Sequence, residues 1–224
     1  MTDTLITLSN PRAPISEAFR TLRTNLEFTS LDKPIGSMVV TSAAPEEGKS
    51  TTLANLAVTI AQAGKRVIVV DCDLRRPSLH HIFNAKNAPG FTDMMRDDAL
   101  MSHPPLQETG VADLQLLTSG TLPPNPAELL GSRRMSDVIA TLLKQAEMVL
   151  FDAPPVIEVT DAAVLASKVD AVLLVVSAGK TKREHAKKAQ ALLEKVNAHL
   201  IGAVLNNVKG ETGLYQYYSS EEKK

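Results

Sequence analysis

Short, nearly unbroken apolar runs recur along the chain, separated by stretches with apolar residues three and four apart. The runs fall at 38–40, 66–70, 114–117, 148–151, 171–176 and 200–205. They read as strands apolar on both faces, the pattern of a sheet covered by helices above and below. Between them lie helical patterns. Ile15, Phe19, Leu22 and Leu26 form one stripe, on a helix opened by Ser16 and running to 28. Leu53, Leu56, Ala57 and Ile60 form a second, over 50–63, with Gly64 as its stop. Further helices are predicted from Ser132 or Ser136 to 146, from Asp161 for a short span, and over 182–197. Strands alternating with helices predict a three-layer α/β domain with a mostly parallel sheet and right-handed crossovers. The α/β domain spans 1–207, with a polar arm at 1–14 and a helix at 15–28 within it, and a tail follows at 208–224. Residues 77–110 read as irregular, 122–126 as a stiff proline connector, and 91–108 shows no chemistry.

The turn after the first run changes the picture. Met38, Val39 and Val40 lead into Ala43-Ala44-Pro45-Glu46-Glu47-Gly48-Lys49-Ser50-Thr51, and a helix follows at once. This is the strand–phosphate loop–helix arrangement of a P-loop NTPase, apart from Ala43 at a place usually held by glycine. In such a loop, here residues 44–51, successive backbone N–H groups (Pro45 has none) cradle phosphate and the lysine reaches the β- and γ-phosphates. The hydroxyl of Ser50 ligates Mg²⁺, and the helix N-terminus adds its positive end. The expected ligand is therefore ATP with Mg²⁺.

Bulk properties narrow the class. The chain has 224 residues and a formal net charge of −1, so nothing favours sequence-independent binding of nucleic acid. A single cysteine, Cys72, excludes an internal disulfide and suits a reducing cytoplasm. The longest apolar run, at 171–176, is too short to cross a bilayer, so membrane association is expected only through a partner.

In a parallel sheet the strands' carboxyl ends share one edge, where ligands bind. Asp71 and Asp73 follow one run and Asp152 another, so all three are expected beside the phosphate loop. Helix capping would account for one of them. Three together suit a metal held by Ser50, Asp73 and Asp152 and a carboxylate base. Either Asp71 or Asp73 can serve as that base. Water is one acceptor. The other is suggested by composition: all three tyrosines, Tyr215, Tyr217 and Tyr218, fall in the last ten residues. Asn206 and Asn207, just after the last strand, are candidate adenine contacts by position alone.

At this point the chain resembles the bacterial tyrosine kinases, P-loop protein-tyrosine kinases of capsule and exopolysaccharide synthesis, in their stand-alone Gram-positive form. TSAAPEEGKST looks like the family's Walker A motif and MVLFDAPP like its Walker B, with Asp152. VIVVDCDLRRP looks like its A′ motif, with Asp71, Asp73 and Arg75 at the marked places. Glu17, Arg20 and Arg23 match a Glu-x-x-Arg-x-x-Arg element that in the family builds a ring, although such residues on a helix also form ordinary solvated pairs. The resemblance implies catalysis by Lys49, Asp71, Asp73, Asp152 and Arg75, and autophosphorylation of the tail tyrosines between subunits. It also implies action on other proteins such as sugar-nucleotide enzymes, reversal by a cognate tyrosine phosphatase, and recruitment to the inner face of the membrane by the cytoplasmic end of a membrane-spanning modulator.

Two rivals stay open at this level. A partitioning-type ATPase carries a second lysine early in the loop, where Ala44 stands here. A nucleotide-gated binding module would use the tail only for docking. An iron–sulfur reductase on the same fold is excluded, since a cluster shared across a two-fold axis needs two thiolates per chain.

Overall fold

The computed structural model describes residues 5–29 and 34–208. A seven-stranded sheet forms its middle layer, in the order β3-β4-β2-β5-β1-β6-β7. The strands are β1 (Ser37–Ser42), β2 (Val67–Asp71), β3 (Gln107–Glu108), β4 (Leu114–Leu117), β5 (Met148–Asp152), β6 (Ala171–Ser177) and β7 (Leu200–Asn206). All neighbours pair parallel except β3 and β4, so the expected parallel sheet carries one short antiparallel edge.

Side-chain alternation along the strands builds two cores. Val39, Ile68, Val70, Val149, Phe151, Val172 and Leu174 face one side. Met38, Val40, Val67, Val69, Leu150, Leu173 and Val175 face the other. The first side is covered by α5 (Phe91–Met94), α7 (Pro126–Gly131), α8 (Arg133–Leu143), α9 (Asp161–Ala166) and α10 (Arg183–Glu194). The second is covered by α2 (Pro14–Thr29), α3 (Lys49–Gln62) and α4 (Leu79–Ile82), with the small α1 (Ile6–Ser9) packed on α2 and α3. Burial on both faces is why these strands read as continuous apolar runs rather than alternating ones.

The N-terminal stretch differs from the expected arm. From Leu5 onward it is docked: Leu5 and Thr7 are buried, and the Thr7 main-chain N–H and hydroxyl both donate to Asn55 Oδ1 of α3, at 3.1 and 2.9 Å. Ser16 is not a cap. It lies inside α2, fully buried, and donates to the carbonyls of Asn10 at 2.7 Å and Ile6 at 3.2 Å, pinning α1 to α2. The interval 91–108, silent in sequence, gives Phe91 and Met94 to the core, adds α6 (Asp98–Ser102), and supplies β3. The connector at 122–126 runs directly into α7, with Pro126 at its first position, where a missing N–H costs nothing.

The carboxyl ends of β2, β5, β1, β6 and β7 lie side by side along one edge. Asp71 pairs with Asp152 and Ser177 with Asn206 in the strand register. Everything chemical converges there.

Candidate active site

The loop between β1 and α3 is shaped by one obligatory glycine. Gly48 has φ +87° and closes the loop ahead of Lys49, the first residue of α3. A side chain at Gly48 would collide with the amide of Asn206, which donates to the Glu47 carbonyl at 2.9 Å. Only glycine satisfies both the left-handed backbone and that close approach. The Glu47 side chain is turned away from the phosphate position. It is buried, accepts from the Ala44 N–H at 3.0 Å and from the Thr181 hydroxyl, and so ties the loop to the segment after β6. Lys180 closes over the outside of the loop, 3.3 Å from the Glu46 carbonyl and 3.4 Å from its carboxylate.

Lys49 sits at the centre of the acidic edge. Its ammonium is 2.8 Å from Asp73 Oδ2 and 3.0 Å from Asp152 Oδ1, and donates to Ser50 Oγ at 3.1 Å. The Ser50 hydroxyl donates in turn to Asp152 Oδ2 at 2.5 Å. Burial alone would lower the lysine's pKa, but the Asp152 and Asp73 charges outweigh it and hold the ammonium above its ordinary value. Burial raises the Asp152 carboxyl, against the pull of Lys49 and Ser50.

Asp71 and Asp73 part company here. Asp71 is wholly buried, and one oxygen accepts from the N–H groups of Ser78 and Leu79, both at 2.9 Å. It therefore organises the turn into α4. Burial, then the charge of Asp152, pushes its carboxyl up to about 8. Asp73 lies beyond the end of β2, where strand alternation no longer governs it, and faces Lys49 with one oxygen while the other accepts from the Arg76 N–H at 3.0 Å. Of the three aspartates only Asp73 lines the adjoining cavity, a space of about 610 Å³ also walled by Gly48, Ser50, Thr51, Arg76 and Pro154. That volume is in the range of a small-molecule site.

Arg75 is held by a partner that sequence reading did not supply. Its Nε and Nη2 meet the two oxygens of Asp161, at 2.9 and 3.1 Å. Asp161 is completely buried at the start of α9, and its hydrogen bond, opposed by a small desolvation cost, raises the Arg75 pKa. Asn206 is committed to the Glu47 carbonyl and Asn207 to Ser177 Oγ at 2.9 Å; neither lines the cavity. On α2, Arg20 bridges Glu17 at 2.7 Å and donates to the Pro11 carbonyl, while Arg23 donates to the Thr59 carbonyl of α3. Tyr215, Tyr217 and Tyr218 lie outside the described residues. Asp161 and Thr181 joined the site without a sequence signal, because each acts through a contact between distant segments; Arg76, beside the motif's Arg75, joined it through its local bond to Asp73.

The residues fit Mg²⁺ with a nucleotide. The Lys49 ammonium already occupies a cation position between carboxylate oxygens of Asp73 and Asp152, next to the Ser50 hydroxyl, and this all-oxygen set suits a hard divalent ion.

Comparison with known proteins agrees with this chemistry. Residues 36–213 match the ParA family described as the NUBPL iron-transfer P-loop NTPases. The tyrosine-protein kinase YwqD of Bacillus subtilis is 42% identical over 97% of this chain and 92% of its own length. The tyrosine-protein kinase CpsD of Streptococcus agalactiae is 32% identical over 93% of this chain and 90% of its own. The chain belongs to the bacterial tyrosine kinases. A crystal structure of the chimerical protein CapA2B2 superposes on this kinase with a TM-score of 0.87 and 40% identity, covering 94% of this chain and 92% of that one. The iron-transfer description in the broader P-loop family does not extend to the metal chemistry of this kinase. Cys72 is its single cysteine and is buried, and desolvation together with the charges of Asp71, Asp152 and Asp73 pushes the thiol well above its usual range. Among the described residues, no helix is long and apolar enough to cross a membrane.

Proposed function

We propose that this tyrosine-protein kinase uses ATP and Mg²⁺ to phosphorylate Tyr215, Tyr217 and Tyr218 of neighbouring copies, and then other proteins, in the control of capsule and exopolysaccharide synthesis. The observation that carries the reading is the meeting of Lys49, Ser50 and Asp73 on the wall of one cavity, with Asp152 buried behind them and bonded to Lys49 and Ser50. Phosphoryl transfer is mostly positioning and electrostatics, and this set supplies both.

In the reading, Ser50 and Asp152 hold Mg²⁺, with Asp73 beside them. Bound there, the metal would offset the negative charge of the phosphates. Lys49 exchanges its carboxylates for the β- and γ-phosphates. Asp73, the aspartate that lines the cavity, takes the tyrosine proton. Asp71, its oxygens engaged by the main chain, keeps the 73–79 turn in place. The N–H groups of residues 46–51 bind the phosphates, the Ala44 N–H being held by Glu47, and Asn206 fixes the loop's shape through the Glu47 carbonyl.

Glu17, Arg20 and Arg23 support a head-to-tail ring, in which each tail meets the next subunit's cavity. Each transferred phosphate adds about −1.5 to −2 charge. A phosphotyrosine beside ATP and the acidic edge is repelled, so the ring loosens as it is modified. The partners in this reading are a second copy of the chain, the cytoplasmic end of a membrane-spanning modulator that recruits the kinase to the inner membrane face, sugar-nucleotide enzymes as substrates, and a tyrosine phosphatase. Near-full-length likeness to stand-alone tyrosine kinases, and to a chimerical protein, supports a cytoplasmic kinase that works with a separate modulator.

Mixing two variants tests transfer between subunits. One is Lys49→Met, with its tyrosines intact; the other has Tyr215, Tyr217 and Tyr218 changed to Phe. The reading expects phosphotyrosine on the Lys49→Met chain in the mixture and none with either variant alone. A mixture without phosphotyrosine would refute it.

A further inference from the structure

The family motif points to Arg75, but the structure gives that side chain other work. Asp161 is fully buried, and Arg75 supplies its cation through two hydrogen bonds. Moving Arg75 onto a phosphate would strand a buried carboxylate, which is strongly unfavourable. Arg75 is thus a strut between the 73–79 turn and α9.

The next residue is differently placed. The Arg76 main-chain N–H is 3.0 Å from Asp73 Oδ1, and the other oxygen of the same carboxylate is 2.8 Å from the Lys49 ammonium. Arg76 is therefore anchored one carboxylate away from the phosphate-binding lysine. Its side chain is exposed, lines the cavity with Ser78 and His81, and has no ion-pair partner among the described residues. Lys49, Arg75 and Arg76 are the lysine and arginine residues walling that cavity; the first two are already paired. The loop itself offers a single lysine, since Ala44 stands where related ATPases keep a second.

We propose that Arg76, rather than Arg75, is the guanidinium that meets the γ-phosphoryl group and stabilises the charge that develops during transfer. The proposal rests on the kinase reading above and adds a catalytic residue to it. In the step, the tyrosine oxygen bonds to the γ-phosphorus while the bond from that phosphorus to the β,γ-bridging oxygen breaks. The tyrosine proton passes to Asp73, and ADP departs with the bridging oxygen. Arg76 donates to the non-bridging oxygens, where a planar fork of N–H groups matches phosphate geometry better than an ammonium.

Calorimetric titration of the full chain with Mg²⁺ and either ADP or the non-hydrolysable analogue AMP-PNP tests this apart from turnover. Arg76→Ala is expected to bind ADP like wild type and AMP-PNP roughly 10–100-fold more weakly, the loss of a charge-assisted hydrogen bond. Its tail phosphorylation should fall by roughly 10²-fold or more. Arg76→Lys should lie between. Arg75→Ala should instead lower the melting temperature without nucleotide, which Arg76→Ala should leave unchanged. Equal loss of both nucleotides, an unchanged AMP-PNP to ADP ratio, or undiminished phosphorylation in Arg76→Ala would overturn the proposal. An unchanged ratio with lost activity would assign Arg76 to the acceptor peptide. A wild type that makes no phosphotyrosine would refute the kinase reading, while the binding ratio would still decide whether Arg76 reaches the γ-phosphate.

Discussion

The Lys49 ammonium stands 2.8 Å from Asp73 Oδ2, so the lysine of the P-loop motif is, without nucleotide, the counter-ion of the acidic edge. The pair is almost entirely buried, with side-chain exposures of 12% and 6%, and Asp152, at 0%, shares the same cation. Lys49→Met therefore has two effects. Tail phosphorylation should be lost, because the loop's one cation for the γ-phosphate is gone. The nucleotide-free protein should also lose about 3–5 kcal/mol of stability at neutral pH, since breaking a buried pair strands its partners. Urea denaturation with and without Mg²⁺ checks this: the metal should recover part of the loss. A Lys49→Met protein as stable as wild type would show that the aspartates adjust without their lysine.

Asp71 makes a prediction about pH in chelator, with neither metal nor nucleotide. Burial and Asp152 raise its carboxyl from 3.8 to about 8, so between those values the folded state holds a proton that the unfolded state has released. Stability must then fall as pH rises through this window and level off above it. Asp71→Asn removes the titration and should flatten that part of the profile. At low pH the wild-type group is a neutral acid, and the asparagine amide oxygen can accept from Ser78 and Leu79 as that acid does, so the two proteins should differ least there. Denaturation midpoints from pH 4 to 9 on both proteins measure the two slopes; parallel profiles would contradict the assignment.

Gly48 is constrained twice, by φ +87° and by the Asn206 amide. Gly48→Ala should cost about 1–2 kcal/mol from the left-handed backbone alone and should weaken nucleotide binding. Adding Asn206→Gly clears the collision but leaves the backbone strained and removes the bond to the Glu47 carbonyl. The double variant should therefore stay below wild type in both stability and ADP affinity. Full recovery would mean that the collision was the whole constraint.

On α2, Arg20 and Glu17 form an exposed pair worth only about a few tenths of a kcal/mol to the fold. Arg20 also donates to the exposed Pro11 carbonyl, so Arg20→Ala should lower the monomer's melting temperature only slightly while preventing the proposed assembly. Arg23 also donates to the Thr59 carbonyl, so Arg23→Ala should carry a small stability loss as well. Light scattering before and after ATP reads the assembly: the variant with both arginines changed to alanine should be monomeric and phosphorylate poorly when dilute. The variant with all three tyrosines changed to phenylalanine should stay assembled. Rings in the arginine variant would contradict the interface.

These residues also show what the sequence made legible. The strands were, because burial on both faces writes itself as runs such as RVIVV and MVLF. Lys49, Ser50, Asp73 and Asp152 were legible as a group, since loop and strand ends must share one edge of a parallel sheet. Their division of labour was not. Asp71 and Asp73 stood as equal candidates for the base, but β2 ends at Asp71, and the chain turns. Nor was Ser16 legible as a buried pin, since it looks like a helix cap until α1 is seen packed beside it. Asp161 and Thr181 needed the fold, because each meets its partner, Arg75 or Glu47, across a large separation in sequence.

The central claim is that the acceptor is tyrosine and not water. Mass spectrometry of the C-terminal peptide after incubation with ATP and Mg²⁺, on wild type and on Lys49→Met, tests it most directly. The account predicts phosphate on Tyr215, Tyr217 and Tyr218 in wild type and an unmodified peptide in Lys49→Met. A wild type that releases free phosphate while its tail stays unmodified would contradict it.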